Sequence, residues 1–427
     1  MTEPIRVVFL TFYQEAWDSL ESVHHLMSAD PRFEVTVATI PRRLTGDTGF
    51  GGEQATSDFF TSMGVAHLRL NYEDSWQGLA KLKELAPDYV FLNYPWQRNY
   101  QPAYRADELA KFARIAYVPY YSLPLVNEPD VEGVAPHLFE QRSHQLASLV
   151  FTQDKNLVEA YAHTERGNAH VFLTGSPKID RLSRLANAGV ANWPVPTRQV
   201  PLGEPAPPRN FRIVWAPHHS YSRAWLNFGV FKDTYKTMLG LALSHPEIDF
   251  VLRPHPVLFG TLTDRNVLTQ QQLDSFLEDW NDLPNTCIHT DGEYASLFRA
   301  TDILITDGIS FLGEYPLVTG RPGVFLENPE HWKFSPLGEL AAAANLCISQ
   351  FDQLELLLDE LRTVGMPDRT DAIKRLRDAA SPYPGKAAEQ IVSAVLADFA
   401  SESPLVDAAA ITTVPWERRE GREPLVD

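Results

Sequence analysis

The sequence predicts an α/β protein built from two parallel sheets, each covered by helices on both faces. Three observations carry that prediction. Short apolar runs of strand length alternate with helical segments from Ile5 to Ala400 of the 427 residues. A parallel sheet needs such crossovers, and strands buried on both faces read as near-continuous apolar runs. A proline-crowded stretch, Asn192 to Asn210, divides the alternation in two; it can neither continue a helix nor sit in a central strand, so it reads as a semi-rigid linker. Polar residues suited to chemistry follow the strands directly, where open parallel sheets bind ligands.

In the first half, IRVVFLTFY (Ile5 to Tyr13) reads as a strand, EAWDSLESVHHLMS as a helix and FEVTVATI (Phe33 to Ile40) as a second strand. The glycine-rich loop PRRLTGDTGFGG follows; it lacks the spacing of a phosphate cradle and reads as a flexible or acceptor-facing loop. Further strands are expected at AHLRL, DYVFLN, IAYVPYY, SLVFTQD and AHVFLTG. Residues 1–191 thus resemble one Rossmann-like domain. After the linker at 192–210, the alternation restarts with FRIVWAP, a helix around Phe228 to Leu243, DFVLRPHP, a helix around Leu268 to Trp280, TCIHT, YASLFRA, and the run from Asp302 to His331. Strand LCIS and two helical segments complete a second Rossmann-like domain over 211–385. GKAAEQIVSAVLADFA supplies a C-terminal amphipathic helix at 386–400, and 401–427 reads as a mobile tail. Two such halves are expected to enclose a central cleft that holds the ligand.

Composition narrows the function classes. Hydrophobic residues make up 44% and charged residues 22%, as in a globular protein that buries its own cores. Cys287 and Cys347 form no CxxC or zinc pattern, so neither a disulfide framework nor a structural zinc site is read, and a reducing cytoplasm fits best. No run approaches the roughly 20 apolar residues of a spanning helix, and the N-terminal apolar stretch does not read as a signal peptide. Lys+Arg 37 against Asp+Glu 55 gives a formal charge of −18, which opposes broad binding to nucleic acid or anionic lipid. An anionic ligand must be held locally, by a few basic groups and helix ends.

The run DILITDGISFLGEYPLVTGRPGVFLENPEH is a strand, a tight turn, a helix and another strand. Thr306, Asp307, Gly308 and Ser310 sit at the turn. Either Asp307 and Ser310 simply cap the helix, or the helix N-terminus there offers amides to an anion. His218 and His219 end FRIVWAP, and Arg253 and His255 end DFVLRPHP. One histidine after a strand is more often structural than catalytic, but three donor-bearing strand ends favour a site. Pro254 and Pro256 hold His255 stiffly. Glu314, four residues after Ser310, is expected to share its helix face and to suit a ribose hydroxyl, with a solvated face as the alternative. In the first half, GSPKID places Gly175 and Lys178 after a strand; this is either an anion-facing turn or an ordinary strand-to-helix turn. The aromatic stretches NYPWQRNY and YVPYYSLP either line an acceptor groove or fill the core.

The order TGSPKID, IVWAPHHS, FVLRPHP, ITDGISFLGEYPLVTGRPGVFLENPEH and GKAAEQI resembles the CDP-glycerol glycerophosphotransferases that build teichoic acids and some capsular polymers. The resemblance covers Val171 to Ala400; the first domain is similar in architecture alone. It implies a GT-B fold, two Rossmann-like domains facing a central cleft, with the cytidine diphosphate held by the second. Carried over by position, His255 contacts the donor diphosphate, Asp307 and Ser310 occupy the phosphate-binding turn, Glu314 takes the acidic position, and Lys178 stands for an arginine. Two departures matter. The family's WHGTPLK motif, with its acceptor-base histidine, is replaced by YVPYYSLP, and Ile309 replaces the first serine of the phosphate turn. His218 and His219 are the remaining candidates for the base.

The resulting expectation is a transferase in which an acceptor hydroxyl attacks the glycerol-bearing phosphorus of CDP-glycerol and CMP leaves. The acceptor is a cell-envelope polymer or glycolipid. His255, Arg253 and helix-end amides stabilise the diphosphate charge, with no metal and no cofactor read from the sequence. The protein is expected in the cytoplasm, with a peripheral place on the inner face of the cell membrane as an alternative. The rivals are a GT-B glycosyltransferase using a nucleotide sugar, a non-hydrolysing UDP-sugar epimerase, whose carboxylate-rich pattern is not seen here, and a non-catalytic scaffold of envelope-polymer assembly.

Overall fold

A computed structural model describes residues 3–43, 47–131, 136–188, 193–196, 209–290 and 293–412. Most of the stretch read as a linker, the tail beyond 412, and residues 44–46 of the glycine-rich loop lie outside them. The chain forms two compact units. Among the described residues, the first comprises 3–124, 128–181 and 378–412, and the second 125–127 and 182–377.

Each unit contains one wholly parallel sheet, and the thirteen strands among the described residues fall within or beside the apolar runs that predict them. In the first unit they are β1 (Ile5–Thr11), β2 (Phe33–Thr39), β3 (His67–Arg69), β4 (Tyr89–Leu92), β5 (Arg114–Tyr117), β6 (Ala147–Thr152) and β7 (Val171–Leu173). Their spatial order is β3-β2-β1-β4-β5-β6-β7. The second unit has β8 (Phe211–Ala216), β9 (Ile248–Leu252), β10 (Thr286–Ile288), β11 (Ile303–Thr306), β12 (Val324–Leu326) and β13 (Leu346–Ile348), in the order β10-β9-β8-β11-β12-β13. Counted from its own first strand, each sheet runs 3-2-1-4-5-6, with a seventh strand added in the first unit. This is the doubly wound Rossmann order. It reverses direction beside the first strand, and the crevice at that switch point is where such sheets bind ligands.

The helices differ from expectation in instructive places. The segment read as one helix over Glu15 to Ser28 is a 3-10 helix at Gln14–Ser19 followed by an α-helix at Glu21–Ala29. Ser19 donates its hydroxyl to the Ala16 carbonyl at 2.9 Å, and such local side-chain bonding competes with a regular helix. A short helix at Leu258–Asp264 carries Gly260 and two threonines, which hide it from a periodicity reading.

The core of the first unit packs Val7, Phe9, Trp17, Met27 and Phe91 against Ala388, Ile391 and Val395. The final amphipathic helix, Ala387–Ala400, therefore belongs to the first unit although its sequence follows the second. In the second unit Trp215 of β8 stacks on Phe231 with ring centroids 5.1 Å apart, beside Phe276 and Trp280. That aromatic layer fixes the end of β8. Among the described residues, no helix is long and apolar enough to cross a membrane.

Candidate functional site

The switch point of the second sheet lies between β8 and β11, where Ala216 pairs with Thr306. The first residues beyond these two strands are therefore brought side by side. Thr306 donates its hydroxyl to the Ala216 carbonyl at 2.7 Å and accepts the Gly308 N–H at 2.8 Å, which closes the turn. Asp307 is 1% exposed, and its two carboxylate oxygens accept the backbone N–H groups of His218 at 2.6 Å and Val230 at 2.7 Å. Burial pushes its carboxyl up to about 7, against the pull of those amides. Asp307 thus ties the β8 and β11 turns together and does not cap the following helix.

That helix, Ile309–Thr319, starts at Gly308 with no side-chain cap. Ser310 is exposed in its first turn. The amides at this end point past the strand tips, an arrangement suited to a phosphate. A Cβ on Gly308 would stand 3.0 Å from Thr306 Oγ1 and 3.8 Å from His218 Cδ2, so the turn and the imidazole are packed against each other.

Three imidazoles gather at the neighbouring strand ends. The His219 and His255 rings stack with centroids 3.9 Å apart, and His218 lies 4.5 Å from His219 and 5.4 Å from His255. Their nearest ring nitrogens all fall within 4.8 Å of one another. His218 is buried, and desolvation first, then His219, holds its pKa well below 6.5. It is a neutral ring at pH 7. Its Nδ1 faces Ser220, with Oγ at 2.8 Å and N–H at 3.3 Å. His255 Nδ1 accepts the Val257 N–H at 3.4 Å, while the backbone N–H of His255 donates to the Pro217 carbonyl at 3.0 Å. In both rings Nδ1 faces a nearby backbone N–H, from Ser220 in one and Val257 in the other.

Arg253 and Glu314 meet through a residue the sequence did not single out. Tyr294 donates its hydroxyl to Glu314 Oε2 at 2.7 Å, and the Arg253 guanidinium lies 5.3 Å from the centre of its ring. Arg253 also donates to His289, at 2.6 Å to Nδ1 and 3.2 Å to the carbonyl. Glu314 is 0% exposed. The expected open face shared by Ser310 and Glu314 is therefore absent, because the helix is buried from Leu312 to Val318 and reaches the surface at its two ends. Ser220, Tyr294 and His289 are the polar partners missed; the triplet HHS after a strand was a usable signal for Ser220, whereas nothing local marks Tyr294.

Gly175 and Lys178 lie in the first unit. Gly175 adopts φ +83°, a left-handed turn that glycine suits. Lys178 Nζ is 3.2 Å from Asp18 Oδ2. In the same motif Ser176 Oγ accepts the Ile179 N–H, and Asp180 accepts the N–H groups of Gly385 and Ala387, each at 2.9 Å. The motif's polar groups are thus engaged in holding the first unit together. The aromatic stretches largely fill its core: Trp96, Tyr100 and Tyr117 are at most 1% exposed. Beside Trp96, His137 is held by Glu128, whose Oε2 accepts both the backbone N–H at 2.7 Å and Nδ1 at 2.5 Å.

No protein-family model matches the chain, and no curated protein matches it by sequence. Solved structures do resemble it in fold. A UDP-N-acetylglucosamine 2-epimerase superposes with a TM-score of 0.61 at 15% identity, over 95% of this chain and 99% of that one. The Neisseria meningitidis UDP-GlcNAc 2-epimerase bound to UDP-GlcNAc gives 0.59 at 14%, over 92% and 100%. The wall teichoic acid polymerase TagF gives 0.56 at 13%, over 93% and 90%. The fold is GT-B. At these identities the likeness speaks for the architecture, and the chemistry must come from the chain's own residues.

Chemically, the corner brings three imidazoles, that of His218 neutral, beside the uncapped start of the Ile309–Thr319 helix on backbone fixed by Asp307 and Thr306. Such a set can donate to phosphate oxygens. The same three imidazoles are also the group among the described residues whose ring nitrogens converge closely enough to hold a metal ion.

Proposed function

We propose that the protein is a GT-B transferase that binds a nucleotide diphosphate donor at the β8–β11 switch point. It moves glycerol phosphate from CDP-glycerol to a hydroxyl of a cell-envelope polymer or glycolipid and releases CMP. The observation that supports this reading is the convergence of His218, His219 and His255 with the uncapped start of the Ile309–Thr319 helix. His255 Nε2 and the helix amides stabilise charge that grows on the diphosphate as the P–O bond to CMP breaks. Arg253, held by His289 and Tyr294, adds positive potential nearby. Of the two histidines read as acceptor base, His218 is buried and held neutral by its surroundings, so His219 is the proton acceptor proposed here. The structural neighbours include an epimerase bound to UDP-GlcNAc and a teichoic acid polymerase, which is in keeping with a nucleotide-linked donor. The polymer work would be done in the cytoplasm or at the inner membrane face.

The test is CMP release by the purified chain from CDP-glycerol with a polyol-phosphate or glycolipid acceptor. His255→Ala is expected to lower the rate by about 100-fold or more. Activity that survives this change overturns the assignment. A thermal-shift series with CMP, CDP, UMP, UDP and GDP separates the rivals. Cytidine preference supports CDP-glycerol, uridine preference a glycosyltransferase or epimerase, and no shift a scaffold.

A further inference from the structure

We infer that His218, His219 and His255 form a three-imidazole site for a transition-metal dication of the zinc type. The inference goes beyond the transferase reading, since it concerns only what the cluster binds.

Three features carry it. The ring nitrogens already converge, all within 4.8 Å of one another, whereas ligands about 2.0–2.1 Å from a tetrahedral zinc stand about 3.4 Å apart. Small rotations of the rings close that gap. Second, the ligand backbone is fixed without any metal. The His218 N–H is bound by Asp307, the His255 N–H by Pro217, and His255 lies between two prolines. Little ordering entropy then opposes binding. Third, His218 has the outer partner that metal-bound histidines commonly use. Ser220 Oγ lies 2.8 Å from Nδ1 and also accepts the Phe228 N–H at 2.9 Å, so it can accept an Nδ1 proton in the tautomer that ligates through Nε2, a tautomer that gives up the longer 3.3 Å contact from the Ser220 N–H. At His255 the competing Val257 contact is 3.4 Å long, and a change of tautomer there costs little.

All-imidazole ligation suits Zn²⁺, Co²⁺, Ni²⁺ and Cu²⁺ rather than Mg²⁺ or Ca²⁺. Three protein ligands leave at least one position open, as in catalytic rather than structural zinc sites. The Cδ2 edge of His218, next to Nε2, faces Gly308 at the start of the Ile309–Thr319 helix. On the transferase reading, the open position would suit a diphosphate oxygen, whose charge the ion would help neutralise, and His219 would then hold the ion instead of taking the acceptor proton.

The experiment uses the full chain, stripped with chelator and titrated with Co²⁺ alone. One equivalent should bind, with the ligand-field absorption of a four-coordinate site. His219→Ala and His255→Ala should each weaken binding by about 100-fold or more, and Ser220→Ala by about 10- to 100-fold. These positions avoid removing the buried His218, and circular dichroism confirms folding. Absence of stoichiometric binding, or binding that the histidine variants leave unchanged, overturns the site. Adding CDP tests the donor reading separately: perturbation of the Co²⁺ spectrum supports a diphosphate at the open position. An unchanged spectrum counts against the donor reading and leaves the metal site standing.

Discussion

Asp307 holds the switch-point corner through backbone amides, a role that sets the β8 and β11 turns at a fixed separation. Glu314 is held differently, by the hydroxyl of a tyrosine that also carries Arg253 on its ring. A buried acceptor that loses one donor keeps part of its desolvation cost. Tyr294→Phe is therefore expected to lower stability by about 1–3 kcal/mol. It should also loosen Arg253 little, because the ring remains. A drop in the denaturant midpoint of the second unit with unchanged slope is the readout. The contrast between these carboxylates explains why the sequence misjudged Glu314. Spacing of four residues fixes a shared helix face but says nothing about how deep that face lies.

At the scale of the element, the Ile309–Thr319 helix contains Pro316, which has no N–H for the Leu312 carbonyl. Asn345 supplies the missing donor at 2.8 Å, gives a second hydrogen bond to the Ala341 carbonyl at 2.7 Å, and accepts the Gly323 N–H at 2.8 Å. One buried side chain therefore joins the helix, the start of β12 and the start of β13. Asn345→Ala strands all three groups and is expected to cost about 3 kcal/mol or more, measured as unfolding of the second unit. The strands were legible because each is a short apolar run between turn residues. The proline was tolerated for a reason written 29 residues away, in Asn345, and no local rule finds it. The histidine cluster was half legible. Its members stand after strands that read clearly, but their meeting depends on β8 and β9 being neighbours in the sheet. Gly175 and Lys178 read either as an anion-facing turn or as an ordinary strand-to-helix turn, because turn chemistry is the same whether a turn meets a ligand or another part of the fold.

For the whole molecule, pH acts through buried histidines as well as through the charge of −18. His144 is 0% exposed, and burial first, then His137 and His170, brings its pKa down to about 3. The unfolded chain takes up a proton there below about 6.5, while the folded chain does so only near 3, so stability is lost as pH falls through that window. By pH 4.5 the loss is about 2–3 kcal/mol from this residue. His144→Asn, which keeps an acceptor for the Gln141 N–H, should flatten the pH dependence of thermal unfolding between 6.5 and 4.5. A slope equal to that of the wild type would show that other groups govern it.

The contact between Asp180 and the amides of Gly385 and Ala387 spans more than two hundred residues of chain. It fastens the Ala387–Ala400 helix onto a unit whose first strand leaves the ribosome before any strand of the second unit. During synthesis, the sheet that starts earliest therefore waits longest for its cover, with the faces of Phe9 and Met27 exposed until Ile391 and Val395 arrive. The second unit, bracketed inside the first, has all its strands by Ile348. In the order of birth, the inner half can mature while the outer half is still open.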